Sequence, residues 1–112
     1  MDVTYQKESE YTPEWNGNRD EKEPVVCTIS ALTPAQRDQC IFLKYDVDGT
    51  HAQNDLGKAV RWGVKSIRNL SVNGIQVQNG IELAGTPGLD ELFSELAMRI
   101  LRGAEKQDLK NS

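Results

Sequence analysis

The sequence is poor in the residues that most often carry enzyme chemistry or hold metal ions. It has a single histidine, His51, and two cysteines, Cys27 and Cys40, which lie 13 residues apart with no second pair. A zinc knuckle needs its ligands in closely spaced pairs, and a redox motif needs the spacing Cys-x-x-Cys, so neither site is available. We therefore expect two buried free thiols, no metal site and no cofactor.

Catalytic motifs are also lacking. The Asp46 and Asp48 pair has the spacing of the first two calcium ligands of an EF-hand loop, but the glycine of that loop belongs at the sixth position and Gly49 is at the fourth. A solvated turn is the better interpretation of residues 45–51. His51 has no nucleophile fixed beside it in sequence, which makes it a poor general base. The sequence predicts a protein without catalytic residues, one that is not an enzyme.

Long apolar runs and an excess of basic charge are absent as well. No run approaches the roughly 20 residues that a membrane-spanning helix needs, and the first ten residues, MDVTYQKESE, lack the basic and apolar regions of a signal peptide. The net charge of −4 argues against a nucleic-acid binder held by bulk electrostatics. We expect a cytosolic protein that binds neither membrane nor nucleic acid.

The 112 residues are enough for one small core and are divided by their charge pattern. An acidic extended arm covers residues 1–23, a compact domain covers 24–103, and a polar tail covers 104–112. Trp15 is unusual in so polar an arm. It either docks the arm onto the core or waits for a partner's pocket, and the large area that an indole buries favours docking.

The clearest element is a helix predicted over residues 87–103. Its apolar side chains recur at the spacing that places them on one helical face, which we expect to pack on the chain's own core: Leu89, Leu92, Phe93, Leu96, Ala97, Ile100 and Leu101. Thr86 can cap this helix, Pro87 fits its first position and Gly103 can end it.

Two further elements precede it near the start of the domain. Residues 24–32 alternate between an apolar face of Val25, Cys27 and Ile29 and a second face, which predicts a strand. Thr33 to Gln36 has the form of a capping box with proline at the first helical position, so we expect a helix from there to about Lys44. That helix would bury Cys40, Ile41 and Leu43.

Residues 55–70 read as a helix with a basic stripe opposite an apolar face. The simpler interpretation of this stripe is a helix face exposed to solvent. The alternative is a contact surface for an acidic partner, which could be the chain's own arm. The candidate partner-binding residues are therefore the stripe, its flanking tryptophan and the tryptophan of the arm: Lys58, Arg61, Trp62, Lys65, Arg68 and Trp15.

The Asn73-Gly74 pair is a strong signal for a two-residue hairpin turn. In that register Val72 faces Ile75 and Leu70 faces Val77, so the four apolar residues share one side. The sequence predicts an α+β fold in one small domain, with an extended arm and a strand, about three helices and one short hairpin.

Most of the chain resembles a known family. The stretches YTPEWNGNRDEKEPVVCTISALTPAQRD and VKSIRNLSVNGIQVQNGIELAGTPGLDELFSELAMRIL, together with a polar tail ending KNS, are similar to the small tail assembly chaperones and related morphogenesis proteins of long-tailed bacteriophages. The resemblance covers roughly residues 11–112 and lies in patterns of apolar residues and turns. The acidic arm and Trp15 depart from the family pattern.

The resemblance implies a non-enzymatic protein in the host cytoplasm that binds the tape-measure protein, the tail-tube protein or both before tail assembly. It carries over no catalytic residues and leaves a homo-oligomer open. Two alternatives remain: a structural virion protein, such as a head-tail joining or tail component, and an acidic inhibitor or regulator of a basic partner.

Overall fold

The computed structural model describes the backbone of residues 1–111 and their side chains, except those of Lys44, Asp46 and residues 103–111. The fold is mixed α+β, as the sequence predicts. In chain order its elements are β1 (Glu8–Tyr11), a 3₁₀ segment (Trp15–Asp20), β2 (Val26–Ser30), α1 (Pro34–Gln39), β3 (Ile41–Asp46), β4 (Gly49–Asn54), α2 (Leu56–Gly63), β5 (Val64–Arg68), β6 (Ser71–Val72), β7 (Ile75–Gln76), α3 (Gly80–Ala84) and α4 (Asp90–Asn111).

The core lies on one side of an antiparallel three-stranded sheet with the order β1-β2-β5. Cys27 and Ile29 of β2 and Ile67 of β5 are buried, which confirms the predicted strand and its apolar face. Glu10, Thr28 and Ser66 pair across the three strands and share the opposite, polar face. A sheet with one buried face is the usual antiparallel arrangement.

Helix α4 packs against α2 and presents the predicted apolar face to the core. Leu92, Leu96 and Ala97 are fully buried, and Phe93 and Leu101 are partly buried against the same cluster. The helical periodicity therefore predicted correctly which side chains of α4 are buried. Burial of one apolar face is what stabilises such a helix.

Both predicted ends of this helix are wrong. The Thr86 hydroxyl donates to the carbonyl of Glu82 at 2.6 Å and so closes α3, and Gly88 has a φ of 88°. Consequently α4 begins at Asp90, where the amide of Phe93 donates to the Leu89 carbonyl at 2.9 Å. Gly103 does not end the helix, which runs to Asn111, because the residues after it include good helix formers such as Ala104, Glu105 and Lys106. The side chains of the predicted polar tail lie outside the described residues.

The helix predicted from residue 34 to about residue 44 is correct at its start only. Thr33 and Gln36 form the capping box: the Gln36 amide donates to Thr33 Oγ1 at 3.1 Å and the Thr33 amide to Gln36 Oε1 at 3.0 Å. The helix ends at Gln39, and Ile41 starts strand β3. The run that follows Cys40 is rich in aromatic and branched residues that favour strands, and that preference prevails over the weak apolar stripe.

The helix predicted over residues 55–70 is two elements. Asp55 caps α2 by accepting from the Lys58 amide at 3.1 Å, but the helix stops at Gly63 and the chain continues as β5. Val60, Val64 and Ile67 are all buried, at a spacing that suits a helix. The chain forms a strand here because its backbone groups hydrogen-bond to β2. Without that strand, buried backbone groups of β2 would lack partners, which costs free energy of folding.

The predicted Asn73-Gly74 hairpin is present as β6 and β7. Both turn residues have positive φ, 52° and 81°, as a type I′ turn requires. Val72 pairs with Ile75, and the Val77 amide donates to the Leu70 carbonyl at 3.0 Å. Leu70 and Val77 are buried, whereas Ile75 beside the turn is exposed.

Residues 8–20 of the predicted arm are folded against the rest of the chain. Strand β1 extends the sheet, and Pro13 is among the fully buried side chains. The short helix α3 is also absent from the sequence-based prediction. Asn79 caps it by accepting from the Glu82 amide at 2.9 Å, and Gly80 lies so close to α2 that a Cβ there would come within 2.1 Å of the Val60 carbonyl oxygen.

Candidate protein-binding surface

The predicted basic stripe does not lie on one helix. Lys58 and Arg61 are on α2, whereas Lys65 and Arg68 are on β5. Arg68 forms an ion pair with Glu10 of β1, with 3.2 Å between Nη2 and Oε1, so one of the four cations contacts the chain's own arm. Arg61 and Lys65 are exposed. A partner-binding role for these four residues stays a prediction.

Both tryptophans are half-buried and pack against the core cluster. Trp15 therefore has the docked arrangement that its size favours, and its backbone amide donates to Oε1 of Glu95 at 2.9 Å. Trp62 is on α2 and leaves part of its ring accessible. Whether either ring also contacts a partner stays a prediction.

Glu95 of α4 anchors the N-terminal segment. One carboxylate oxygen accepts from the Tyr11 hydroxyl at 2.6 Å and from the Glu14 amide at 2.7 Å, and the other accepts from the Trp15 amide. The Glu14 and Trp15 amides lie at the start of the 3₁₀ segment, where backbone donors lack partners within the helix. A carboxylate from a distant helix therefore does the work of an N-cap.

The same carboxylate changes the acidity of two neighbours. Burial, the hydrogen bond to Glu95 and the charge of Glu95 together raise the pKa of Tyr11 to about 12. Burial and, secondarily, the Glu95 charge raise the pKa of Cys27 to about 12. The raised pKa keeps Cys27 in its thiol form at neutral and mildly alkaline pH, which lowers the fraction of reactive thiolate.

A buried amide fixes the loop between the arm and β2. Asn18 Nδ2 donates to the carbonyls of Pro13 and Val25 at 2.9 and 3.0 Å, and its Oδ1 accepts from the Val25 amide at 2.7 Å. All these partners are backbone groups, so the side chain replaces the hydrogen bonds of a regular element. Glu95 and Asn18 thus add side-chain contacts to the pairing of β1 with β2.

A shallow cleft of about 230 Å³ lies beside this anchor and is lined by Tyr11, Glu95, Met98, Arg99 and Arg102. The Arg99 guanidinium carbon is 5.3 Å from the centre of the Tyr11 ring, within the range of a cation–π contact. The Glu95 carboxylate already accepts three hydrogen bonds, so its role here is structural.

The described side chains do not form a metal-binding cluster. Among them no group of three or more His, Cys, Asp or Glu side chains could hold a metal ion. His51 lies exposed on β4. In the same part of the chain, no helix has the length and apolar character needed to span a membrane.

The hairpin formed by β3 and β4 carries several exposed large apolar side chains. The cross-strand pairs Ile41–Asn54, Leu43–Ala52 and Tyr45–Thr50 place six uncharged side chains on one side of this ribbon, and we call them the hairpin face. Ile41, Leu43 and Tyr45 are 50, 56 and 74% exposed. Val47 in the turn is fully exposed.

The hairpin pairs with no other described strand. The Asp55 amide donates to the Cys40 carbonyl and closes its base. A two-stranded ribbon alone is at best marginally stable in water, so packing against a further element would stabilise it. The hairpin face therefore has the character of a binding surface.

Sequence reasoning missed both the Glu95 anchor and the hairpin face. The alternation Ile41, Leu43, Tyr45, Val47 was a readable signal for a strand, but the helix predicted to about residue 44 obscured it. No local sequence pattern indicates the role of Glu95, because its partners lie about 80 positions earlier in the chain.

Comparison of the chain with protein families, curated proteins and solved structures found no match.

Proposed function

We propose that this chain is a non-enzymatic tail assembly chaperone of a long-tailed bacteriophage, acting in the host cytoplasm. It holds an apolar segment of the tape-measure protein or tail-tube protein on the hairpin face until that partner is assembled. The hairpin face is the observation that carries the proposal, and the family resemblance of the sequence supplies the identity of the partner.

The chemistry of the hairpin face suits a neutral apolar segment. Its six residues carry no formal charge, so a partner's apolar side chains can cover it without burying an unpaired ion. Strand β3 has six residues, which extend about 20 Å. An amphipathic helix of about 13 residues has the same length, and long helical partners offer many such segments.

The remainder of the surface suits a protein that must keep an apolar partner in solution. The chain has a net charge of −4, while the hairpin face is uncharged. A charged exterior around a neutral binding face favours one partner surface and disfavours association elsewhere.

The experiment is an affinity pull-down of the tagged chain from infected cells, with mass spectrometry to identify the captured proteins. Leu43→Asp places a charge in the centre of the hairpin face. Phe42→Asp places the same charge on the opposite side of the same strand and is the matched control, since Phe42 is also exposed. We expect the tape-measure or tail-tube protein to be captured by the wild type and by Phe42→Asp, and lost with Leu43→Asp.

Capture of neither tail protein by the wild type contradicts the proposal. Purified phage particles provide the second measurement, because a chaperone is absent from them and a structural virion protein is present in fixed number. The acidic-inhibitor alternative predicts instead that neutralising Glu8, Glu10 and Glu14 abolishes partner capture and that capture falls steeply with salt.

A further inference from the structure

The hairpin face has a second property, which is that it is complementary to itself. One row, on β3, has the large side chains Ile41, Leu43 and Tyr45. The other row, on β4, has the small or short side chains Asn54, Ala52 and Thr50. When a copy of this surface is rotated to face it, the large side chains of each copy can pack on the small side chains of the other.

A two-fold axis parallel to the strands produces that fit. It places β3 of one copy over β4 of the other, so that each large row packs on a small row, at the roughly 10 Å separation of stacked sheets. An isologous contact of this kind requires the same patch on both copies, and this patch meets the requirement.

The charge distribution permits contact with a second copy at this face. Two chains of net charge −4 repel each other on average. The six residues of the hairpin face are all uncharged, so contact between these residues buries no formal charge. The face is thus a region where two copies can meet without burying a charge.

We infer that in the free protein the hairpin face is covered by the hairpin face of a second copy. When a tail-protein segment binds, it takes the place of that second copy. The inference rests on the proposed function only for this displacement. A second copy is available whenever the chain is made, which explains how an otherwise uncovered two-stranded ribbon stays folded before a partner arrives.

The size of the surface determines the strength of this dimer. Specific stable interfaces bury about 800 Å² on each side, and a two-stranded ribbon supplies less than that. The expected dimer is therefore weak, with a dissociation constant between about 1 and about 100 µM. A weak contact is what displacement by a partner with a larger apolar surface requires.

Sedimentation velocity of the purified full chain, from about 1 to about 500 µM, tests the inference. We expect the wild type and Phe42→Asp to shift from monomer to dimer over this range, and Leu43→Asp to remain a monomer. Thr50→Lys is a second variant that charges the small row without removing an apolar group, and it too should remain a monomer. Far-UV circular dichroism checks that each variant is folded.

A wild type that stays monomeric throughout this range overturns the inference, as does a dimer that Leu43→Asp and Thr50→Lys leave intact. The proposed function fails separately. A monomeric wild type that still captures a tail protein overturns only the dimer, whereas a dimer that captures neither tail protein overturns only the chaperone function.

Discussion

The hydroxyl of Tyr11 donates to Oε2 of Glu95 at 2.6 Å, although the two residues are 84 positions apart in the chain. The same carboxylate accepts hydrogen bonds from the Glu14 and Trp15 amides, so one side chain of α4 contacts three residues at the turn from β1 into the 3₁₀ segment. This contact links the arm to α4.

Glu95→Gln should destabilise the protein by about 2 kcal/mol. The glutamine amide has one acceptor oxygen and one NH₂ group, so at least one of the three groups that donate to Glu95 would face another donor. Urea unfolding followed by tryptophan fluorescence measures the change. Glu91→Gln is the matched control on the same helix, where an exposed carboxylate has only a dipole contribution, and it should cost less than about 1 kcal/mol. Equal effects of the two substitutions would show that Glu95 is not an anchor.

Stability should fall at alkaline pH because of Tyr11. Burial and the contact with Glu95 raise its pKa in the folded protein from the ordinary 10.0 to about 12. The stabilising effect is complete below the unfolded pKa and is lost as pH rises toward the folded pKa, since the unfolded state ionises first. An ultraviolet titration of tyrosinate should show one component near pH 12.

That component should disappear in Tyr11→Phe and persist in Tyr45→Phe, which removes an exposed tyrosine of the hairpin face. It should move to lower pH in Glu95→Gln, because the hydrogen bond and the negative charge both favour the neutral phenol. A wild-type titration without a high-pH component contradicts the anchor as described.

Both cysteines should be unreactive toward a thiol reagent until the protein unfolds. Cys27 and Cys40 are fully buried, and burial raises the pKa of each thiol, which lowers the fraction of reactive thiolate. Labelling at pH 8 with and without urea makes the comparison. Gln53→Cys adds a thiol on exposed β4 and should be labelled at once, with the other two protected. Rapid labelling of the native wild type is the contrary result.

Gly80→Ala should cost about 3 kcal/mol or more, since its Cβ would be 2.1 Å from the Val60 carbonyl oxygen and backbone must move to admit it. Gly85→Ala is the control at the other end of α3. Its Cβ would lie 3.6 Å from the Ile81 carbonyl oxygen, which is an ordinary contact, so the expected change is within about 1 kcal/mol. Thermal unfolding of both variants measures the difference, and similar melting temperatures would disprove the close approach of α3 and α2.

The sequence predicts those parts of the fold that depend on near neighbours. The Thr33–Gln36 capping box, the Asn73-Gly74 turn and the buried face of α4 each require residues within a few positions of one another. Such signals are readable because the interacting groups are close together in the chain as well as in space.

The parts that were predicted wrongly are decided by distant partners. Val64 and Ile67 have a spacing that suits a helix, but β5 forms because β2 offers it backbone hydrogen bonds. The candidate site follows the same division. The charges of the basic stripe were visible in sequence, whereas the Glu95 anchor depends on contacts that local patterns do not encode.

The anchor also sets an order of events during synthesis. Tyr11, Glu14 and Trp15 leave the ribosome long before Glu95 does, and until then the two backbone amides and the phenol have no carboxylate to meet. Closing so long a loop is slow and comes late. Strand β1 can pair with β2 earlier, but the turn that follows it lacks its carboxylate partner until α4 has been made.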